Sequence, residues 1–302
     1  MAPTPPTESA PLPRTIAGVM RWGRWGADLP PRDYEALVRG CLERDVTCFD
    51  HADIYGDYTE EERFGRVLAK APHLRDDMQL VTKCGIRMVA EARPAHAHKS
   101  YDASAAHIRA SVEGSLRALR TDRLDVLLLH RPDYLLDADA VARCFEDLRA
   151  AGKVRAFGTS NFTTHQFELL RSRFPALVTN QIELSLKQSG ALDDGTLDQA
   201  QRLGCPPMIW SPLAGGQLFG EGALRSRDSS ISRKLADVAH RHGVTADVVA
   251  YAWVLAHPSR PSVVTGSARV ERIAGAKRAE SLALSRAEWY ELLEAARGRE
   301  VA

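Results

Sequence analysis

The chain alternates short apolar segments with amphipathic helical stretches along nearly its whole length. The eight segments with the character of buried strands are residues 15–20, 47–50, 78–83, 124–130, 153–160, 176–181, 207–212 and 261–267. Each is followed by a stretch whose apolar residues recur at helical spacing, such as residues 106–120. A further helix is predicted over residues 281–297, where Ser285 and Glu288 form a capping-box pattern. Apolar strands that alternate with helices predict a parallel sheet covered by helices.

Eight strand–helix repeats favour a closed (β/α)8 barrel over an open sheet. An open dinucleotide-binding sheet would be expected to carry a GxGxxG turn after its first strand, and the sequence has no such pattern. We therefore predict an α/β protein with a closed TIM barrel as a single domain over residues 14–302. Residues 1–13 are rich in Pro, Ser and Thr, which predicts a disordered N-terminal tail.

Charge and cysteine usage narrow the classes of partner. The net charge of +1 argues against a nucleic acid or a membrane surface as the partner. No stretch approaches the about 20 apolar residues of a membrane-spanning helix, and the N-terminal residues lack the apolar core of a signal peptide. The five cysteines show no CxxC spacing, so we interpret them as buried free thiols of a cytoplasmic protein.

Polar residues at the ends of the predicted strands are the candidate functional residues, because barrels of this kind carry their active sites there. Asp50 ends the second strand and Tyr55 lies just beyond it. Lys83 ends the third strand and His130 ends the fourth. These side chains come from successive repeats, and the barrel is predicted to bring them together.

Such a set of side chains can supply a tuned proton donor. A free tyrosine has a pKa of about 10, and a nearby lysine ammonium favours the phenolate and lowers that pKa. Asp50 would pair with Lys83 and keep the ammonium charged and in place, while His130 would donate a hydrogen bond to a substrate oxygen. The predicted result is an acid that protonates a developing alkoxide, as in a carbonyl reduction with hydride from a cofactor.

Five motifs in register resemble those of the aldo-keto reductases. They are “FDHADIYG” (49–56), “VTKCG” (81–85), “LLLHRPD” (127–133), “GTSNF” (158–162) and “NQIELS” (180–185). The resemblance covers residues from about 15 to 290 and is closest to a bacterial branch of monomeric, NADPH-using members. It implies a cytoplasmic monomer that reduces a small-molecule aldehyde or ketone with NADP(H). Under this resemblance Asp50, Tyr55, Lys83 and His130 correspond to the catalytic tetrad, with Tyr55 as the acid.

The resemblance also implies a set of cofactor-binding positions. They are Met20, Ser160, Asn161, Gln181, Trp210, Ser211, Leu213, Gly266, Ser267, Arg269 and Arg272. Ser160, Asn161 and Gln181 match the residues that bind the nicotinamide carboxamide. Trp210 matches the aromatic residue that stacks on the nicotinamide ring. Gly275 and Ala276 stand where many members have an acidic and an amide residue that contact adenine, so the affinity is expected to depend on the phosphate contacts.

Two other functions are weighed against this one. Some relatives of the family are cofactor-binding regulatory subunits of channels, so a sensor with weak turnover is one alternative. A metallohydrolase is the other, suggested by the motifs around His51 and Asp53 and by His96 and His98. We assign no metal, because metal hydrolases place such ligands on strand ends with further partners, whereas the second histidine pair lies in a long loop.

Two further residues, His51 and Trp22, lie near the predicted site. Strand alternation points His51 away from Asp50, so His51 receives no catalytic role. Trp22 follows the first strand and either packs at the barrel rim or lines the substrate pocket.

Overall fold

Eight parallel strands form a closed barrel in the computed structural model, which describes residues 11–219 and 229–301. These strands are β1 (Thr15–Gly18), β2 (Cys48–Asp50), β3 (Gln79–Cys84), β6 (Leu124–Leu129), β7 (Val154–Ser160), β8 (Leu177–Glu183), β9 (Met208–Trp210) and β10 (Ser262–Thr265). Each strand pairs with its neighbour along the chain, and β10 pairs with β1 to close the barrel. The predicted single-domain (β/α)8 barrel is confirmed. The first ten residues of the predicted tail lie outside the described residues.

The helices of the described residues cover the outside of the barrel, except for one single turn at its carboxyl end. They are α1 (Pro31–Leu42), the single turn α2 (Tyr55–Tyr58), α3 (Glu60–Lys70), α4 (Ala105–Leu119), α5 (Ala138–Ala150), α6 (Thr164–Arg173), α7 (Thr196–Leu203), α8 (Ser229–His242), α9 (Ala246–Leu255), α10 (Val270–Ala279) and α11 (Arg286–Arg297). The predicted capping box begins α11, where the Ser285 hydroxyl accepts from the Glu288 N–H and the Glu288 carboxylate accepts from the Ser285 N–H. In the described part of the chain, no helix combines the length and the apolar character needed to cross a membrane.

The segment between β3 and α4 contains a small hairpin that the sequence interpretation treated as a loop. Its strands, β4 (Ile86–Arg87) and β5 (Ser100–Tyr101), pair antiparallel. Each strand has only two residues, which is too short for an alternating pattern to be visible in the sequence. The hairpin lies at the carboxyl end of the barrel, directly after the strand that carries Lys83.

An apolar plug fills the barrel interior below the strand ends. Its buried side chains are Ile16, Cys48, Val81, Val126, Leu128, Ala156, Met208 and Val264. Side chains of a strand alternate between its two faces, so the residue two positions after each plug residue also points into the barrel. By this rule Cys48 is followed by Asp50, Val81 by Lys83 and Leu128 by His130. The plug therefore forms the floor on which the candidate catalytic side chains lie.

The alternate strand residues face outward and pack against the helices. Phe157 of β7, for example, stacks on Phe145 of α5 with ring centroids 4.1 Å apart, and Phe174 packs edge-on against both rings. Burying each such aromatic side chain stabilises the fold by roughly 1.5–3 kcal/mol relative to leaving it exposed. This outer core fixes each strand against its helix, and so fixes the position of the residue at the strand's end.

Candidate active site

Lys83 is the centre of the hydrogen-bonded cluster at the carboxyl end of the barrel. Its side chain is fully buried, and its ammonium donates to Asp50 Oδ2 at 2.7 Å and to the His51 carbonyl at 2.7 Å. A third contact, of 3.1 Å, joins Lys83 Nζ to the Tyr55 hydroxyl. All three donors of the ammonium are therefore used, and the phenol is held against a fixed positive charge.

Asp50 and Lys83 form a buried ion pair that keeps the ammonium charged. Burial alone would lower the pKa of the Lys83 ammonium, but Asp50 and Tyr55 raise it, and the net pKa lies above its ordinary value. The other carboxylate oxygen, Asp50 Oδ1, accepts from Gln181 Nε2 at 2.9 Å. Both oxygens of the aspartate are thus hydrogen-bonded, which fixes its orientation toward Lys83.

Tyr55 retains its proton at neutral pH in this environment. Burial raises the pKa of its phenol, Lys83 lowers it, and Asp50 raises it again, so that the net pKa lies above the ordinary value. Lys83 acts in the expected direction, but the prediction of a lowered pKa for Tyr55 is wrong because burial has the larger effect. The ammonium offsets part of the penalty for forming a buried phenolate.

A strained turn directly after Tyr55 holds the phenol in place. Gly56, Asp57 and Tyr58 have φ values of 56°, 58° and 68°, so three consecutive residues adopt the left-handed conformation. For residues other than glycine this conformation costs roughly 1–2 kcal/mol each. The side chains compensate, because Asp57 Oδ1 accepts from Trp25 Nε1 at 3.2 Å and the Tyr58 hydroxyl accepts from the Met88 N–H at 2.9 Å.

His130 lies beside Tyr55 as a neutral imidazole. The two rings meet edge-to-face with centroids 5.9 Å apart. Burial lowers the pKa of His130 well below its ordinary value, and the charges of Lys83, Arg131 and Lys99 lower it further. A neutral imidazole carries one N–H, so His130 can donate one hydrogen bond to a ligand oxygen above the phenol.

The four residues predicted to bind nicotinamide are linked in one network. Ser160 Oγ donates to the Gln181 carbonyl at 3.1 Å and accepts from Asn161 Nδ2 at 2.8 Å. Trp210 Nε1 donates to Asn161 Oδ1 at 3.0 Å. The structure therefore brings Ser160, Asn161, Gln181 and Trp210 together across the mouth of the barrel. The contact of Gln181 with Asp50 was not predicted, and it connects this network to the Lys83 cluster.

Two of the strand ends at this network turn through the left-handed region. Asn161 has a φ of 60° just after β7, and Ser211 has a φ of 51° just after β9. Strained backbone of this kind is concentrated at binding and catalytic sites. The neighbouring candidates lie at the same end of the barrel, with Leu213 half-buried two residues after Ser211 and Met20 partly exposed after β1.

The remaining cofactor candidates lie around the start of α10. Gly266 and Ser267 follow β10, and the Ser267 hydroxyl accepts from the Arg269 N–H at 3.1 Å. Arg269 precedes the first residue of α10 and Arg272 lies in its first turn, both exposed. Within the described part of the chain, neither guanidinium makes a hydrogen bond or an ion pair. Two exposed cations beside a helix N-terminus are suited to bind an anion.

Gly275 and Ala276 have a packing role in α10. Both are buried, and a Cβ atom built on Gly275 would lie 3.3 Å from the Asp247 carboxylate of α9. The small residues thus let α9 and α10 approach each other closely, and the buried Ala276 methyl does not face solvent.

Trp22 does not line a pocket. Its side chain is fully buried, packs edge-on against Tyr34 and Phe49, and donates from Nε1 to the Ser267 carbonyl at 2.8 Å. The structure therefore favours the packing alternative over the pocket-lining role. Trp25 instead lies next to the candidate acid, half-buried and edge-on to Tyr55 with ring centroids 6.0 Å apart.

The histidines that suggested a metal have other surroundings. His51 is fully buried with its ring 4.6 Å from that of Phe64, and burial together with the Lys83 charge lowers its pKa to about 3. His96 Nδ1 lies 3.0 Å from the Met88 carbonyl, and His98 is exposed. Within the described residues, no group of three or more His, Cys, Asp or Glu side chains could hold a metal ion.

Two acids behind the Tyr55 turn were missed in the sequence, the buried Glu61 and the half-buried Asp53. Asp53 and Glu61 flank the turn, and the Glu61 carboxylate accepts from the Thr82 hydroxyl at 2.6 Å. Burial raises the pKa of both carboxyls, and the charge of Glu61 raises that of Asp53 further. Three consecutive glutamates at the start of a helix resemble an ordinary exposed first turn, so the pattern gave no sign that Glu61 is buried.

The aldo/keto reductase family model matches residues 14–297 of the chain. A relative from Bacillus subtilis, named uncharacterized oxidoreductase YcsN, is 44% identical over 95% of this chain and 95% of its own length. The 6-dehydroglucose reductase of Agrobacterium fabrum is 42% identical over 96% of each chain. A crystal structure of an aldo/keto reductase from Klebsiella pneumoniae, in complex with NADP and acetate, is 27% identical and covers 92% of this chain and 89% of that chain, with a TM-score of 0.74. The chain is therefore an oxidoreductase that belongs to the aldo/keto reductase family.

Proposed function

We propose that the chain reduces aldehydes or ketones to alcohols with NADP(H), and that Tyr55 is the proton donor. The observation that carries this proposal is the buried Lys83 ammonium, which contacts the Asp50 carboxylate and the Tyr55 hydroxyl at once. A phenol placed against an ammonium that is itself held by a carboxylate is suited to proton delivery.

Each of the four residues has a separate role in the proton transfer. When bound, NADPH supplies the hydride that converts a carbonyl into an alcohol. Tyr55 donates its proton to the carbonyl oxygen as negative charge develops there, and the Lys83 ammonium stabilises the phenolate that remains. Asp50 keeps Lys83 charged, and the neutral His130 donates a hydrogen bond that orients the carbonyl oxygen above the phenol.

Residues at two places would hold the cofactor. The network of Ser160, Asn161 and Gln181 offers amide and hydroxyl groups for the nicotinamide carboxamide, beside the Trp210 ring. The unpaired guanidinium groups of Arg269 and Arg272 offer charge-assisted hydrogen bonds to a phosphate near the N-terminus of α10. This donor set fits NADP(H) better than NAD(H), because the second cofactor lacks the 2′-phosphate.

The test is a panel of aldehydes, ketones and sugars, measured with NADPH and with NADH by the nicotinamide absorbance. Sugar-derived carbonyl compounds belong in the panel, because the Agrobacterium fabrum relative is named 6-dehydroglucose reductase. We expect turnover of several carbonyl compounds with NADPH and weaker binding of NADH. No turnover with any carbonyl compound, despite tight NADPH binding, would contradict the reductase proposal and would favour a sensor. The cytoplasmic location and the monomeric state stay predictions.

A further inference from the structure

Arg131 is a half-buried cation at the mouth of the site with no charged partner in contact. It follows His130 directly, and its guanidinium carbon lies 5.9 Å from the centroid of the Trp210 ring. Within the residues that the structure describes, Arg131 makes no hydrogen bond and no ion pair. Half-buried arginines normally use their five N–H donors, so this donor set is available to a ligand.

Glu183 is the matching acceptor beside Trp210, on the neighbouring strand. It pairs with Trp210 in the register of β8 and β9, and it lies two residues after Gln181 on the same face of β8. Over the described residues, Glu183 also makes no hydrogen bond and no ion pair. Burial raises the pKa of the Glu183 carboxyl, and the charge of Arg131 lowers it. The two groups therefore interact electrostatically without a direct contact.

The position of this pair relates it to the distal part of a substrate. Two residues of strand span about 7 Å, so Glu183 lies about that far beyond Gln181 along β8, and the amide of Gln181 contacts Asp50. Arg131 lies close to the position of the carbonyl group, because it follows His130 directly and its charge acts on the Tyr55 phenol. In the arrangement that we propose, the substrate atoms beyond the carbonyl group extend toward Arg131 and Glu183. Groups at this level are several bonds away from the reacting carbon.

The combination of an unpaired donor and an unpaired acceptor selects among substrate classes. A carboxylate or phosphate at this level would be attracted by Arg131 but repelled by Glu183. An ammonium group would be attracted by Glu183 but repelled by Arg131. A hydroxyl group satisfies both, because its oxygen accepts from the guanidinium and its proton is donated to the carboxylate. Purely apolar chains would leave both charged groups desolvated and unpaired.

Resting on the proposed reductase activity, we propose that Arg131 and Glu183 select polyhydroxylated carbonyl substrates by binding hydroxyl groups distal to the carbonyl. Loss of one hydrogen bond to a charged group corresponds to a change of about tenfold to hundredfold in kcat/KM. The two residues are specificity determinants in this view, and an alkyl aldehyde of equal length gains nothing from them.

The test compares three four-carbon aldehydes, D-erythrose, butanal and succinic semialdehyde, with the wild-type enzyme and the variants Arg131→Met, Arg131→Lys and Glu183→Leu. We expect the wild type to prefer D-erythrose. Arg131→Met and Glu183→Leu should each lower kcat/KM for D-erythrose by about tenfold to hundredfold, and change that for butanal by less than about threefold. Arg131→Lys keeps the charge but loses the planar fork, so it should give an intermediate loss for D-erythrose alone.

Several outcomes would overturn the inference. If Arg131→Met lowers kcat/KM equally for all three aldehydes and Arg131→Lys restores it, then Arg131 acts through its charge on the Tyr55 proton and not on the substrate hydroxyl groups. Succinic semialdehyde as the best substrate, improved further by Glu183→Leu, would show a site for anions. NADPH dissociation constants and melting temperatures of the variants should match those of the wild type, which separates these effects from unfolding. A wild-type enzyme that reduces none of the three but turns over other carbonyl compounds would also overturn the inference, whereas no turnover with any carbonyl compound would count against the reductase proposal itself.

Discussion

Replacing Lys83 by Met should separate the structural role of the buried ion pair from its catalytic role. The substitution leaves the Asp50 carboxylate buried, with Gln181 as its remaining hydrogen-bond donor among the contacts described above. Removing one partner of a buried ion pair typically costs about 3–5 kcal/mol of unfolding free energy. Lys70→Met on the exposed end of α3 is the matched control and should change stability by less than about 0.5 kcal/mol.

The double variant Asp50→Asn, Lys83→Met removes both charges and should recover much of that stability. An asparagine oxygen can still accept from Gln181 Nε2, and no buried charge remains unpaired. Activity should not recover, because the phenolate that Tyr55 leaves behind still lacks the Lys83 ammonium. The hydrogen bond between that ammonium and the phenolate stabilises the phenolate by roughly 1.5–3 kcal/mol. We therefore expect turnover to fall by at least about tenfold to hundredfold in both variants.

Urea unfolding and NADPH-dependent carbonyl reduction measure the two effects separately. Recovery of activity together with stability in the double variant would refute the reasoning, since Lys83 would then matter only for packing. An unchanged stability of Lys83→Met would refute the other half, because it would mean that the Asp50 charge is not buried in solution.

Two further predictions concern the cofactor and the pH dependence of stability. Arg272→Ala should weaken NADPH binding by about tenfold to hundredfold and leave NADH nearly unchanged in fluorescence titrations, and an equal loss for both cofactors would contradict the 2′-phosphate assignment. Burial raises the pKa of Glu60, which accepts from the Tyr34 hydroxyl, to about 7. Because the pKa of Glu60 is higher in the folded state than in the unfolded state, the folded state binds more protons in this range. The free energy of unfolding should therefore fall by up to about 3 kcal/mol as the pH rises from about 4.5 to 7. The urea midpoint of the wild type should decrease as the pH rises through this range, and that of Glu60→Gln should decrease less. An equal pH dependence of the two midpoints would contradict the assignment to Glu60.

Much of the site could be predicted from the sequence because a barrel converts strand ends into neighbours. Once the eight strands are recognised, alternation places Asp50, Lys83 and His130 inside the barrel, and the structure confirms that the first two contact each other. The prediction needed only the two-residue period of a strand and the closed topology.

Properties that depend on burial could not be predicted in the same way. The balance of charges suggested a lowered pKa for Tyr55, but the depth at which the phenol lies reverses the direction. Trp22 illustrates the same limit, because a tryptophan after the first strand fits either a rim or a pocket until its Nε1 is seen to donate to the Ser267 carbonyl. The contact between Gln181 and Asp50 crosses the barrel between residues 131 positions apart, and no local pattern encodes it.

Tyr55→Phe tests the central claim most directly, because it removes the proton donor and almost no volume. The measurement is the turnover rate with a carbonyl substrate that the wild type reduces well, together with the dissociation constant of NADPH. We expect turnover to fall by about 10²–10⁴-fold while NADPH binding is unchanged, because the candidate cofactor groups lie on Ser160, Asn161, Gln181 and Arg272. Near wild-type turnover in Tyr55→Phe would contradict the account, and the proton would then have to come from another group, with His130 the next candidate.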